Sequence, residues 1–281
     1  MGGGEAMNPV LSFIIPIRHP QNSRDWGLEI KNLRDTVASI AAQTHPGWRA
    51  IIVANEGAAL PDLPPHFQVE RVDFPPNPQH ERGSASLEVF YDRVRLDKGR
   101  RILAGLLQAK DSGFVMVVDD DDFVSRKLTE FASTRPAANG WVVRNGFVWD
   151  DGGSILYRHA DFSALCGSSH IVRTDLYRIP SQAEDASETY IKQMLGSHRF
   201  IEAHLAETGT PLENLPFPGA IYRVGHSPSH SKSSRILPGF VFNRRNLLRP
   251  HAVARHLARL RVLSSAIRDE FFGTGHAAKM A

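Results

Sequence analysis

The sequence predicts an open, mostly parallel α/β sheet with helices on both faces, and three observations carry that reading. Short apolar runs at 11–17, 48–54 and 114–118 are separated by stretches with helical spacing. The runs are continuous rather than alternating, as strands covered on both faces require. Each is bounded by proline, glycine or acidic residues that would place a loop at its end.

Taken in order, Leu11 to Ile17 (LSFIIPI) reads as the first buried strand, stopped by Pro16 and Pro20. From Glu29, residues Ile30, Leu33, Val37, Ile40, Ala41 and Thr44 recur at three- and four-residue steps, giving a helix that Pro46 and Gly47 terminate. Trp48 to Ala54 is the second strand, so the first fifty or so residues form a βαβ unit, right-handed by the general rule. Phe67 to Phe74 reads as a third strand, and Pro75 to Ser86 as a polar loop. Lys98 to Lys110 carries Ile102, Leu103, Leu106 and Leu107 on one helical face before Gly113, and Phe114 to Val118 is a fourth strand.

The second half is less regular and predicts a smaller mixed region. Gly140 to Trp149 and Ser154 to Arg158 read as strands joined by the turn Asp150-Asp151-Gly152-Gly153. Ala183 to Gly196 and Phe200 to Thr208 have helical character, and Ala220 to Val224 is strand-like before a Ser/His/Pro loop. The end of the chain predicts one amphipathic helix, with Val253, Leu257, Leu260, Leu263, Ile267 and Phe271 opposite Arg255, His256, Arg259, Arg261 and Arg268. These breaks divide the chain into a Gly-rich tail (1–9), a regular α/β half (10–125), a mixed half (126–240) and a helical appendage (241–281).

Composition narrows the classes. With 42% hydrophobic and 22% charged residues, the 281-residue chain is globular rather than disordered. A net charge of +3, from 33 basic and 30 acidic residues, is too small for the whole chain to act as a polycation on nucleic acid. Cys166, the sole cysteine, excludes an internal disulfide and fits a reducing compartment. No run reaches the ~18 apolar residues of a membrane span, and the first residues lack a signal-peptide core, so the expected location is cytoplasmic.

The most informative feature is Asp119-Asp120-Asp121-Asp122, placed directly after an apolar strand. Four adjacent carboxylates repel one another and call for a cation or a wet surface. The carboxyl end of a strand is where open α/β sheets bind ligands. Oxygen donors suit Mg²⁺ or Mn²⁺ completed by substrate phosphates; the alternative is a solvated acidic turn capping the next helix.

In this order and spacing, the strand Phe13-Ile14-Ile15-Pro16-Ile17, the helix ending in Ala42-Gln43-Thr44, the strand Ile51-Ile52-Val53 and the hydrophobic-DxDD run Val117 to Asp122 resemble a family-2-type nucleotide-sugar glycosyltransferase of the GT-A fold. The resemblance covers residues 10–125 closely and 125–235 loosely. It implies a donor half followed by an acceptor-binding, catalytic half, and an inverting transfer from a nucleotide diphosphate donor, a UDP-sugar by preference, to a hydroxyl of a glycan or lipid-linked saccharide. It further implies Asp119 on the sugar-nucleotide side, Asp121 on Mn²⁺ or Mg²⁺, and Asp120 and Asp122 in support. Ile17, Arg18 and His19 would border the base, and Lys98, Arg101 and Arg95 would be candidates for the diphosphate. Where an Asp commonly follows the second strand, this chain has Asn55-Glu56, leaving Glu56 as the acceptor for the base.

An inverting transfer needs a base for the acceptor hydroxyl. The acidic pair Glu184-Asp185 resembles the family's catalytic pair and makes Asp185 the expected base, with Asp150 and Asp151 ranked below it; a helix-start pair is the alternative. His226, ahead of His230, is the expected second metal ligand, and Lys232 and Arg235 would clamp the leaving diphosphate. His170 and Arg173 fall where similar enzymes build the acceptor wall. Trp141, Trp149 and Tyr157 are expected in the core, and Cys166 as a small buried residue. The basic C-terminal helix would lie on an anionic membrane surface, or pack on the domain or a second subunit. Two other classes remain open: a sugar nucleotidyltransferase, weakened by the lack of a Gly-rich phosphate loop after the first strand, and a non-catalytic nucleotide- or carbohydrate-binding module.

Overall fold

A computed structural model describes residues 8–81, 86–225 and 235–273. In chain order its elements are β1 (Leu11–Pro16), α1 (Trp26–Ala41), β2 (Trp48–Asn55), β3 (Phe67–Val72), α2 (Leu87–Gln108), β4 (Phe114–Val117), β5 (Phe123–Val124), α3 (Leu128–Ser133), β6 (Gly140–Val142), β7 (Gly146–Asp150), β8 (Ile155–His159) and β9 (His170–Arg173). They continue with α4 (Glu188–Tyr190), α5 (His198–Glu207), β10 (Glu213–Asn214), β11 (Ala220–Val224), α6 (Arg244–Leu247), α7 (Pro250–Leu257), β12 (Leu260–Val262) and α8 (Ser265–Phe271).

The main sheet has the order β10-β6-β9-β4-β1-β2-β3. β1 runs parallel to both β2 and β4, with Ile14 opposite Ile51 on one side and Val117 on the other, and β3 continues parallel to β2. Only β9 runs against its neighbours in this sheet. The fold is therefore a mostly parallel open α/β sheet flanked by helices, as the sequence predicts.

Why the strands are apolar throughout follows from the two-residue alternation of a strand. Phe13, Ile15, Ala50 and Ile52 join Leu33, Val37 and Ile40 of α1 in one core cluster. Their neighbours Ile14, Ile51, Val53 and Val115 join Leu96, Ile102, Leu103 and Leu106 of α2 in a second. α1 starts at Asp25, whose side chain accepts from the Leu28 N–H at 3.0 Å. α2 can lie close on β1 because of Gly105, where a Cβ would stand 2.6 Å from Ile14 Cγ2.

A second sheet, β12-β8-β7-β11-β5, stands beside the first. Phe123, Trp149, Phe271 and Phe272 close it, with the Phe123 and Phe272 rings 4.4 Å apart. Arg223 of β11 is fully buried and ties this sheet to α1, donating to Asn32 Oδ1 at 2.6 Å and Asp35 Oδ2 at 2.8 Å while its guanidinium lies over the Phe123 ring. Trp141, Trp149 and Tyr157 are core residues, as expected.

Three expectations need correction. The helix expected over 98–110 begins at Leu87; its first turns were hidden because Leu87, Val89 and Tyr91 face solvent and break the apolar period. The single strand expected over 140–149 is two, β6 in the main sheet and β7 in the second, and the chain crosses between sheets at 143–145. The C-terminal helix is broken into α7, β12 and α8: Leu260–Val262 pairs with β8, and Ser264 caps a new helix by accepting from the Ile267 N–H. The main sheet takes β6, β9 and β10 from residues after 125.

Candidate active site

The four aspartates follow β4 as the sequence places them, and the fold gives each a different environment. Asp122 turns inward and is fully buried. Its Oδ2 accepts from Ser168 Oγ at 2.6 Å and Cys166 Sγ at 3.1 Å, and Thr36 Oγ1 donates to its carbonyl at 2.8 Å. Ser168 Oγ also accepts from the Asp119 N–H at 2.9 Å, so one hydroxyl fixes both ends of the tetrad. Asp119, Asp120 and Asp121 instead line a cavity of ≈ 210 Å³.

Charge is unevenly compensated there. Asp119 is ion-paired and hydrogen-bonded with Lys98 of α2. Gly167 leaves room for this pair, because a Cβ there would lie 2.7 Å from Asp119 Oδ2. Burial, then the Asp121 carboxylate and Glu29, pushes Asp120 well above the usual carboxylate range. Burial, then Asp121 and Asp119, does the same to Asp122. Burial lowers the Lys98 ammonium, but Asp119 outweighs it and the net shift is upward. Cys166 is pushed up by burial and then by Asp122, which keeps it a protonated donor rather than a nucleophile.

Basic and polar residues complete the cavity lining. Arg18 is one of them and pairs with buried Glu29 at 3.2 Å. Arg101 is buried, donating to Asn55 Oδ1 at 2.8 Å and pairing with Asp97 at 3.1 Å. Asn22 and Asn77 clasp each other, Asn77 N–H donating to Asn22 Oδ1 at 2.7 Å and Asn22 Nδ2 to the Asn77 carbonyl at 3.0 Å. Asn22, Asn77, His80, Asp97 and Tyr222 also line the cavity; polar residues in loops, one aspartate within α2 and one tyrosine of a buried strand carry no sequence pattern that would mark them.

The structure thus brings together Arg18, Lys98, Arg101, Asp119, Asp120 and Asp121. Other expected residues fall elsewhere. Ile17 is in the core, at 1% exposure, because it continues the buried phase of β1. His19 does not line the cavity: its Nδ1 accepts from the Gln21 N–H at 3.1 Å and caps a short turn. Glu56 points to solvent, and Asn55 takes the inward position instead. Asp185 sits exposed on the turn Ala183–Asp185 and lines no described cavity, because the helix expected from 183 starts only at Glu188. Arg95 lies over the Phe200 ring, away from this cavity. Arg173 pairs with Asp175 at 2.7 Å. His226, His230 and Lys232 lie outside the described residues.

Among solved structures, the chain is similar to S. aureus TarS 1–349, at 13% identity over 89% of this chain and 71% of that one, with a TM-score of 0.42. It is also similar to Rv0371C of Mycobacterium tuberculosis H37Rv in complex with manganese, at 10% identity over 76% of this chain and 91% of that one, with a TM-score of 0.37. No family model and no curated protein matches the sequence. Likenesses this distant say nothing of activity, and the site's own geometry must carry it.

That geometry can be tested against a divalent ion. Among the described residues no three His, Cys, Asp or Glu side chains converge to hold a metal. The donors along the cavity are carboxylate oxygens, the kind that Mg²⁺ or Mn²⁺ takes one or two at a time while keeping waters and binding phosphates. The residues therefore fit an ion shared between protein and a phosphorylated ligand.

Proposed function

We propose that the chain is a metal-dependent glycosyltransferase that moves a sugar from a nucleotide diphosphate donor, a UDP-sugar by preference, to a hydroxyl acceptor such as a glycan or lipid-linked saccharide, with inversion. The observation that carries this reading is the cavity at the carboxyl end of β4, lined by the carboxylates Asp119, Asp120 and Asp121 together with the cations Arg18, Lys98 and Arg101. A diphosphate is a ligand that can answer both kinds of charge, directly to the cations and through a divalent ion to the carboxylates.

Asp121 would hold Mn²⁺ or Mg²⁺, with His226 as a second ligand, and the ion when bound would offset charge on the leaving diphosphate. The chain's own residues do the rest. Asp122 and Ser168 fix the loop that presents the other carboxylates. Asp119 holds the Lys98 ammonium at the cavity wall, where it can meet a phosphate oxygen. Arg18, paired with Glu29, supplies a second cation in the cavity lining. Lys232 would add a third as the donor leaves.

Calorimetry with UDP, with and without Mn²⁺, tests the reading. Binding that requires the ion supports it. Ion-independent binding without sugar release would point to a nucleotide-binding module, and attachment of a nucleoside monophosphate to a sugar phosphate would point to a nucleotidyltransferase.

A second part of the proposal concerns where the acceptor is met. Between Arg244 and Val262 the chain has no Asp or Glu, while Arg244, Arg245, Arg249, Arg255 and Arg261 are exposed together with Leu247, Leu248 and Val262. We propose that this segment rests on an anionic lipid surface, which suits a lipid-linked acceptor. Among the described residues no helix is long and apolar enough to cross a membrane.

A further inference from the structure

α2 lines the cavity beside the tetrad with Val94, Asp97, Lys98 and Arg101. Two of these fix how the cavity lies across the sheet. Lys98 pairs with Asp119 beyond β4, whereas Arg101, three residues on, donates to Asn55 at the end of β2. β1 lies between those strands. At the ~4.8 Å spacing of neighbouring strands, the two ends stand about 10 Å apart. A nucleoside diphosphate whose phosphates meet the Asp119–Lys98 end therefore carries its base toward the β2 end.

Three side chains there could accept from a base, and two are otherwise engaged. Glu56 points to solvent. Asn55 is 3% exposed and uses both halves of its amide, Oδ1 accepting from Arg101 at 2.8 Å and Nδ2 donating to the Phe74 carbonyl at 2.7 Å. Asp97 differs. Among the described residues it is the one carboxylate of the lining outside the tetrad, and its side chain is 22% exposed. It is also held still: Arg101, itself buried, donates to Asp97 Oδ1 at 3.1 Å and lies over the Phe74 ring.

An ionised carboxylate only accepts. It favours a ring edge that donates and repels one that presents a lone pair. Asn77, in the same lining, supplies the opposite character. Its Oδ1 accepts from the Gln79 N–H at 3.0 Å, which leaves Nδ2 as the donor, and Nδ2 makes no hydrogen bond among the described residues. An acceptor and a donor in one cavity match the imide edge of uracil, where an N–H sits between carbonyls, and ≈ 210 Å³ favours a pyrimidine over the larger purines.

We infer that Asp97 is the specificity-determining residue for the base of the donor, accepting the ring N–H of uracil while Asn77 donates to a carbonyl beside it. The inference rests on the glycosyl-transfer reading above and assigns its preference for uridine to a residue of α2. Cytosine has a lone pair where uracil has that N–H, so the carboxylate repels it.

The test is calorimetry on the full chain in Mn²⁺ with UDP, UDP methylated at the imide nitrogen, CDP, GDP and inorganic pyrophosphate. The wild type should bind UDP about 10- to 100-fold more tightly than methylated UDP or CDP, the worth of one hydrogen bond to a charged group, and more tightly than GDP. Asp97→Asn should weaken UDP by a similar factor and narrow the gap between UDP and CDP, because an amide can donate to cytosine. Its affinity for pyrophosphate should stay at the wild-type value. Glu56→Gln should bind UDP as the wild type does. A wild type that binds methylated UDP, CDP or GDP as tightly as UDP overturns the inference without recourse to any variant. An Asp97→Asn protein with an unchanged preference for UDP over CDP overturns it too. So does one that loses pyrophosphate and UDP by the same factor, since Asp97 would then act only by holding Arg101. A wild type that binds neither pyrophosphate nor any of the nucleotides overturns the glycosyl-transfer reading and this one with it.

Discussion

Lys98, midway along α2, reaches across to Asp119, the first carboxylate after β4, and the two form an ion pair at the wall of the cavity. The pair holds a cation in the cavity that Asp121, the carboxylate proposed to hold the metal, also lines. Lys98→Met should therefore weaken UDP binding about 10- to 100-fold, the worth of one charged hydrogen bond to phosphate. Calorimetry in Mn²⁺ reads this directly, and unchanged affinity would mean that Lys98 serves Asp119 only.

Adjacent residues of the tetrad should behave in opposite ways. Asp121 stands in the cavity and pushes up both Asp120 and Asp122, so Asp121→Asn relieves repulsion. Its melting temperature should not fall, while Mn²⁺-dependent UDP binding and sugar transfer are lost. Full activity in this variant would end the metal assignment.

Asp122, by contrast, is buried and accepts from Ser168 and Cys166. Asp122→Ala leaves those donors unsatisfied and should cost about 1–3 kcal/mol. Urea denaturation with a shifted midpoint would show it; an unchanged midpoint would remove Asp122 from its structural role.

How far the sequence was legible follows the same contrast. β1, β2 and β4 were readable as continuous apolar runs that the fold buries almost throughout, and α1 because its helical period matches the face it buries. The tetrad was readable because its position after a buried strand is itself a spacing. The individual roles of the four carboxylates were not, since burial of Asp122 depends on Ser168 and Arg223, 46 and 101 residues away. The C-terminal stripe misled because residues spaced for a helix, Leu260 and Leu263, also suit a strand edge followed by a capped turn.

His198 gives the fold a pH signature. Its folded value, about 4, lies below the ordinary 6.5, so the unfolded chain binds more protons between these limits. The associated stability is fully present above pH 6.5 and is lost as pH falls toward 4, with a slope of at most ~1.4 kcal/mol per pH unit for one proton. Subtracting the stability curve of His198→Asn from that of the wild type isolates the effect from other histidines. A difference that is flat from pH 7 to pH 4 would mean that the imidazole is as wet in the folded protein as in the unfolded one.

The basic, apolar segment from Arg244 to Val262 makes the last prediction. Leu248 is 85% exposed and Val262 73%, an unfavourable placement in water unless something covers them. A lipid surface covers apolar side chains and attracts arginines together, each arginine adding about 1 kcal/mol near an anionic leaflet. The full chain should therefore sediment with vesicles rich in phosphatidylglycerol and not with phosphatidylcholine alone, and binding should weaken as salt rises. Replacing Arg244, Arg245 and Arg249 with Gln should abolish sedimentation while UDP binding persists. If the triple variant instead sediments like the wild type, or if the wild type elutes as a dimer that buries Leu248 and ignores vesicles, the exposed leucines belong to an interface between two copies of the chain.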